Sequence, residues 1–232
     1  MRWQDVCLPK AEGGLGLKDI LSWNRACMIQ HIWQIFAQVG TIWIAWIYAY
    51  ILKERNIWQI SVTQNSSWNW RKLLQLRSLA RQFVEVQDGE EVWKLTGAKC
   101  SIAEVWKVIR TRKEKAEWHR LIWSSLTIPK HSVIAWMAIL NRLPTLDRLL
   151  SWGIDTRGEC CLCNEEIETR DHVFLGCHYS KEIWGMILSH YGISRVIERW
   201  EEELKWVISC TKVKKLTSAI LIVVWRAHIY HI

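Results

Sequence analysis

The sequence predicts a mainly α-helical fold, a helical array with one small β-hairpin and one corner held by clustered cysteine and histidine. Three observations predict it. Apolar residues recur at intervals of three and four along most of the 232 residues, as on the buried face of a helix. Asp88-Gly89 separates two short β-prone runs, 83–86 and 92–95, which is typical of a hairpin. Four of the eight cysteines fall between residues 160 and 177.

The helical segments follow an irregular lead-in over residues 1–19, where Gly13, Gly14 and Gly16 permit turns but lack the ending of a phosphate-binding loop. Ser101 and Glu104 have the spacing of a capping box. Pro129 is well placed in a first helical turn. Helices are predicted over 20–39, 41–52, 68–79, 101–110, 116–125, 129–141, 146–150, 181–191, 196–209 and 213–230.

Composition limits the class of protein. Half of the residues are hydrophobic and eighteen are tryptophan, which suffices for a packed core. The most apolar runs, 41–52 and 216–225, are shorter than the roughly 20 residues that cross a bilayer, so they are interpreted as buried helices and no membrane partner is expected. No secretory signal follows Met1, and clustered cysteines suit a reducing, intracellular compartment.

The cysteine cluster has the spacing Cys160-x2-Cys163-x8-His172-x4-Cys177. Zinc in a structural role prefers four thiolate or imidazole ligands, so the pattern predicts a closed, zinc-knuckle-like corner without catalytic activity. Cys161 and His178 are neighbours that do not fit the spacing. The alternative is a set of buried free cysteines. A redox pair at 160 and 163 would need a thioredoxin-like setting, which the sequence lacks.

The order of motifs resembles a known family along the whole chain. The matching residues are Trp3, Val6, Cys7, Leu8, Pro9, Lys10, Ala11, Glu12, Gly13, Gly14, Leu15, Gly16, Trp23 and Asn24, then Trp118, Ile122, Trp123, Pro129, Lys130, Ala135, Trp136, Arg142, Leu143, Pro144, Thr145, Leu149, Trp152 and Gly153, and finally Cys160, Cys163, Glu168, His172, Cys177 and Trp184. The chain resembles the C-terminal segment of plant LINE-type (non-LTR) retrotransposon reverse transcriptases, which contains the reverse-transcriptase zinc-binding domain.

The resemblance implies zinc as the cofactor, Cys160, Cys163, His172 and Cys177 as its ligands, and a role with nucleic acid. It implies three domains: a post-polymerase helical segment with the hairpin (1–97), the zinc-binding domain (98–192) and truncated C-terminal helices (193–232). The family's polymerase aspartates, endonuclease and ribonuclease H carboxylates have no counterpart here, so no enzyme activity is expected. A nuclear location is a further expectation from the family.

The charges divide the candidate functions. A net charge of +8 suits an anionic partner, although a basic surface alone would give the same value. The knuckle itself is acidic, and Glu168 is expected either to accept knuckle amides or to support His172. The candidate RNA or DNA backbone contacts are Lys107, Arg110, Arg112, Lys113, Lys115, Lys212, Lys214 and Lys215, with Arg71, Lys72, Arg77 and Arg81 as a third basic cluster.

Three functions stay open at this point. The first is a non-catalytic nucleic-acid-binding module. The second is a purely structural zinc module that packs on the polymerase domain of the parent element. The third is an inert remnant of the element.

Overall fold

A computed structural model describes residues 1–53, 55–64, 66–94, 100–126, 128–213 and 215–232. The helices are α1 (Trp3–Val6), α2 (Ile20–Phe36), α3 (Ile42–Trp46), α4 (Trp68–Gln75), α5 (Arg77–Arg81), α6 (Ile102–Ile109), α7 (His119–Ile122), α8 (Pro129–Ile139), α9 (Leu146–Ser151), α10 (His178–His190), α11 (Trp200–Thr211) and α12 (Leu216–His231). A 3₁₀ turn covers Lys10–Glu12, and π-helical turns cover Ile47–Leu52 and His172–Gly176.

The predicted fold class is confirmed: the described residues are mainly helical, with a single two-stranded antiparallel sheet. Strand β1 (Val84–Gln87) pairs with β2 (Glu90–Trp93) in the register Val84 to Trp93. Asp88 and Gly89 both have positive φ, 52° and 87°, as the two central residues of a type I′ turn require. Leu95, predicted at the end of the second strand, lies outside the described residues.

Contacts divide the chain into two units. We call residues 17–112 the inserted unit, and residues 1–16 with 113–232 the discontinuous unit. The three-segment division inferred from the sequence stays a prediction.

Helix α2 is the central element of the inserted unit. Its buried face consists of Ala26, Ile29, Ile32 and Ile35, which follow helical spacing. The helix packs against α4, α5 and α6. The hairpin joins this core through Trp93, whose ring stacks on Phe83 with centroids 5.7 Å apart.

The run 41–52 corrects the prediction of a wholly buried helix. Ile44, Ile47 and Leu52 are buried, but Ile42 is 91% exposed and Trp43, Trp46 and Tyr50 also face solvent. Only one face of this helix meets the core. Because apolar residues occupy every face of the run, the sequence does not indicate which face is buried.

Arg77 organises the loop that follows this run. Its Nη1 donates to the carbonyl oxygens of Ile57 at 2.8 Å, Trp58 at 3.2 Å and Ile60 at 2.6 Å. Arg81, from the same predicted basic cluster, pairs with Glu91 at 2.7 Å. Arg77 is thus bound to backbone oxygens of the protein, whereas Arg81 forms an ion pair with its side chain half exposed.

We predict that Arg77→Met destabilises the inserted unit by about 1.5–3 kcal/mol, because the three carbonyl oxygens lose a charged donor. Urea unfolding followed by circular dichroism measures the effect. Arg71→Met, at an exposed position six residues earlier, is the matched control. Equal unfolding midpoints for the two variants would contradict the role given to Arg77.

The discontinuous unit has a core rich in tryptophan. Trp184, Trp200 and Trp225 are all 1% exposed or less, and the rings of Trp200 and Trp225 lie 6.0 Å apart. Helix α12 packs along α8 and α11. Arg226 is buried and donates to the carbonyl of Ile122 at 3.0 Å and to other oxygens of the loop ahead of α8.

Several helix starts differ from the prediction. Helix α7 begins at His119 and not at 116, and the Ala116 N–H ahead of it donates to the carbonyl of Ala11 at 2.9 Å. Ser101 precedes α6, but its side chain makes no capping hydrogen bond, so the predicted capping box is wrong. Helix α11 begins at Trp200 and not at 196. None of the described helices is both long and apolar enough to cross a bilayer.

Candidate metal centre

The first two predicted ligands, Cys160 and Cys163, lie in a tight turn. Glu159 and Ile167 form an isolated antiparallel bridge, and the Cys160 N–H donates to the carbonyl of Glu166 at 2.7 Å. Asn164 has φ 55°, a left-handed conformation that asparagine tolerates, and its N–H donates to the Cys160 carbonyl at 2.8 Å. The turn therefore brings the Cys160 and Cys163 sulfurs together.

The other two ligands flank the π-helical turn. Thr169 Oγ1 accepts from the His172 N–H at 3.2 Å. The Cys177 N–H donates to the His172 carbonyl at 2.6 Å, a five-residue closure that places Cys177 beside the histidine. Cys177 occupies the N-cap position of α10, so the start of that helix fixes its place beside the histidine.

Gly176 lies directly before the ligand Cys177. It does not adopt a left-handed conformation but lies inside the π-helical turn. A Cβ atom at this position would lie 3.2 Å from the Asp171 carbonyl oxygen. Glycine is needed here for close approach of the turn to itself, which brings Cys177 back toward His172.

The four predicted ligands come together. One donor atom each from Cys160, Cys163, His172 and Cys177 lies within 4.8 Å of the others. A tetrahedral zinc ion with bonds of about 2.0–2.3 Å needs donor atoms about 3.3–3.8 Å apart, which small side-chain movements reach from here. Cys161 and His178, the two neighbours excluded by spacing, are exposed and stand outside this group. The donor set and its geometry fit a structural zinc ion.

The two cysteines of the turn differ in acidity. Hydrogen bonds, first from the Glu165 N–H and then from His172 and the Glu166 N–H, lower the pKa of the Cys163 thiol to about 6. Burial raises the pKa of Cys160 to about 11. Zinc binds thiolates, so metal binding must displace the Cys160 proton.

His172 is oriented by a carboxylate that the sequence reasoning missed. Its Nε2 lies 3.3 Å from Cys163 Sγ, while its Nδ1 lies 3.0 Å from Glu166 Oε2. The contact to Glu166 fixes the orientation of the ring, with Nε2 directed at the other donor atoms. Glu168, the predicted supporting residue, instead accepts from the Leu146 N–H at 3.2 Å at the start of α9. Spacing alone did not distinguish the two glutamates, because the turn decides which one faces the ring.

We predict that Glu166→Gln weakens zinc affinity about tenfold, the lower end of the effect usual for such supporting residues. Competition with a chromogenic zinc chelator measures it. The control is Glu165→Gln, since Glu165 lies 3.6 Å from His178, outside the group of ligands. An equal loss in both variants would show that general surface charge, and not the contact to His172, is responsible.

The predicted backbone contacts are divided between the two units. Lys107, Arg110 and Arg112 belong to the inserted unit, where Arg112 Nη2 donates to the Lys107 carbonyl at 2.9 Å. In the discontinuous unit, Lys113 Nζ lies 2.7 Å from Asp5 Oδ1. Lys115, Lys212 and Lys215 are exposed. Lys214 lies outside the described residues.

The surface of the knuckle is acidic. The side chains of Glu165 and Glu166 are 69% and 73% exposed. Arg170, the cation of this segment, is only 11% exposed, pairs with Asp171 at 2.6 Å and covers the Trp200 ring at 4.7 Å. The knuckle thus offers carboxylates, and not free cations, to a partner.

Comparison with known protein families gave one informative match. Residues 100–184, 85 of the 232, match a family described as zinc-binding in reverse transcriptase. The matched segment ends at Trp184 and contains all four candidate ligands. Comparison with curated proteins and with solved structures gave no significant match.

Proposed function

We propose that this chain is a non-catalytic zinc-binding module, derived from a non-LTR retrotransposon reverse transcriptase, that binds the backbone of RNA or DNA. One zinc ion is held by Cys160, Cys163, His172 and Cys177. The ion pins the turn at 159–167 to the start of α10, and Glu166 orients His172. The module acts inside the cell, where the thiols stay reduced, and serves the polymerase domain of its parent element in the nucleus.

The observation that carries this proposal is the convergence of four soft donors within 4.8 Å, inside the segment that matches the zinc-binding family. Four protein ligands complete a tetrahedral shell, and a catalytic zinc ion would need one position for water. The proposal therefore assigns the metal a structural role. The nucleic-acid contacts fall to exposed lysines outside the knuckle, such as Lys115 and Lys215.

A second candidate function is a structural zinc module that packs on the polymerase domain without touching nucleic acid. The acidic surface of the knuckle favours it, because Glu165 and Glu166 would repel phosphate. An inert remnant is the third possibility, and it predicts neither activity.

Metal content of the purified chain tests the zinc assignment. We expect one zinc ion per chain by elemental analysis, and loss of that ion in Cys163→Ser and His172→Ala. Cys161→Ser and His178→Ala are matched controls, because these neighbours share residue type and segment but stand outside the donor group. Full zinc occupancy in His172→Ala would refute the ligand assignment.

A gel-shift titration at low and moderate salt tests the nucleic-acid role. Affinity should fall steeply as salt rises, because backbone contacts release bound counterions. Lys115→Glu and Lys215→Glu should weaken binding together. Absence of binding at low salt would reject the first function and leave the structural one.

A further inference from the structure

The inserted unit exposes aromatic side chains that a folded core would normally cover. Trp43, Trp46 and Tyr50 follow helical spacing on one face of α3 and the turn after it, and are 42%, 50% and 68% exposed. Trp68, at the start of α4, is 65% exposed. Concentrated exposure of large aromatic groups marks a binding surface.

These side chains line three adjoining depressions of the surface. There are three depressions, of 420, 620 and 510 Å³, and the 620 Å³ depression shares Trp46 and Trp70 with the first and Met28 and Asn69 with the third. We call this surface the aromatic groove, defined by Trp43, Trp46, Tyr50, Trp68, Arg25 and Lys72. All of it lies within the inserted unit.

The charges of the groove are of one sign. Among the described residues that line it, none is Asp or Glu, whereas Arg25 and Lys72 are present. The inserted unit carries thirteen Lys and Arg against seven Asp and Glu, so it holds +6 of the net charge of +8. Four of those seven acidic residues lie on the hairpin segment 84–93 and not in the groove.

We propose that the aromatic groove binds single-stranded nucleic acid. Bases stack on Trp43, Trp46 and Trp68, and Arg25 and Lys72 contact the phosphates. Aromatic platforms beside cations are the usual means of holding a single strand without sequence preference, because every base has a stacking face. A duplex keeps its bases stacked inside, so it cannot use the tryptophans.

The amides and cations that line the groove favour nucleic acid over a protein as its partner. The side-chain amides of Asn24, Asn69 and Gln75 line the groove between the aromatic groups and can bond to base edges. With Arg25 and Lys72 and no carboxylate among its described lining residues, the groove favours a polyanion over a basic partner. The proposal deepens the nucleic-acid part of the proposed function, but needs neither the metal nor the lysines named there.

Fluorescence anisotropy with the full-length chain tests the proposal. The probes are labelled oligo(U) and oligo(dT) of about 12 nucleotides, within the range that single-strand sites cover, and a duplex of equal length. We expect the single strands to bind at least tenfold more tightly than the duplex. Trp43→Ala, Trp46→Ala and Trp68→Ala should each weaken single-strand binding about tenfold, while Trp46→Phe retains most of the affinity.

Matched controls separate stacking from general effects. Trp152→Ala removes an equally exposed tryptophan, 57% exposed, from the discontinuous unit and should leave affinity unchanged. Lys72→Glu should weaken binding and lower the salt slope by at least about 0.7, the value for one phosphate contact on a single strand. The matched control for Lys72→Glu is Lys130→Glu, at an exposed position of the discontinuous unit, which should leave affinity unchanged. Circular dichroism of each variant confirms that the chain is folded.

Three results would overturn the proposal: unchanged affinity in the three Trp→Ala variants, equal affinity for duplex and single strand, or a wild-type dimer that Trp43→Ala converts to a monomer without loss of RNA affinity. The last would make the groove a self-association surface. Zinc content keeps this test apart from the proposed function. Groove variants should retain one zinc ion, and loss of groove binding with intact zinc would leave the metal assignment standing.

Discussion

Removal of zinc should loosen the discontinuous unit around residues 145–190 and leave the inserted unit folded. The knuckle segment carries part of the core: Val173, Phe174 and Leu175, between His172 and Gly176, are all buried. Without the metal, the buried sulfurs of Cys160 and Cys177 gain no compensating bonds. Structural zinc ions contribute about 10–16 kcal/mol of binding free energy in small domains, which exceeds the net stability of most domains.

Hydrogen exchange with mass spectrometry, before and after a strong chelator, measures this effect. Protection should fall first at 158–190, with the His172 to Cys177 closure among the earliest bonds to open. Peptides from α2 serve as the internal control, because they belong to the inserted unit. Unchanged protection at 158–190 in a chain that has lost its zinc would refute the structural role of the ion.

The fold class and the ligand group were predictable because both rest on local patterns. Helical spacing and the Asp88-Gly89 turn depend on residues close in sequence, and such short-range preferences survive folding. The four donors were predictable for a similar reason: all lie within eighteen residues, so one turn and one short helix suffice to join them.

Contacts between distant or nearly equivalent residues were not predictable. Glu166 and Glu168 are two residues apart. The path of the turn places Glu166 beside His172 and Glu168 at the N-terminus of α9, and the spacing in the sequence does not show this. Arg77 was assigned to a basic cluster because its carbonyl partners lie 17 to 20 residues earlier. The exposure of Trp43 and Trp46 depends on which helix face meets α2 and α4, which composition does not encode.

Glu203, on α11, is a carboxylate with no exposed surface. Its Oε1 accepts from Trp184 Nε1 at 2.8 Å, and its Oε2 pairs with Arg195 and accepts from the Glu198 N–H at 3.4 Å. Trp184 ends the segment that matches the zinc-binding family, so Glu203 ties that segment to α11. The sequence predicts a helix over 196–209 but gives no sign that this one of its glutamates is buried.

Glu203→Ala should destabilise the discontinuous unit by about 3–5 kcal/mol, because it leaves Arg195 and the buried indole N–H of Trp184 without their acceptor. The neighbouring Glu202→Ala, at an exposed position, should change stability by less than about 0.5 kcal/mol. Thermal and urea unfolding of the zinc-loaded chain measure both.

A double-mutant cycle with Arg195→Met separates the ion pair from the indole bond. Arg195 is 21% exposed and also covers the Trp206 ring at 4.0 Å, so its loss removes packing as well as charge. Arg195→Met alone leaves a buried carboxylate that only neutral donors oppose, which should be nearly as harmful as Glu203→Ala. Because a buried unpaired charge costs more than an absent pair, the double variant should be more stable than the sum of the two single losses implies. Strict additivity would mean that Glu203 acts through Trp184 alone.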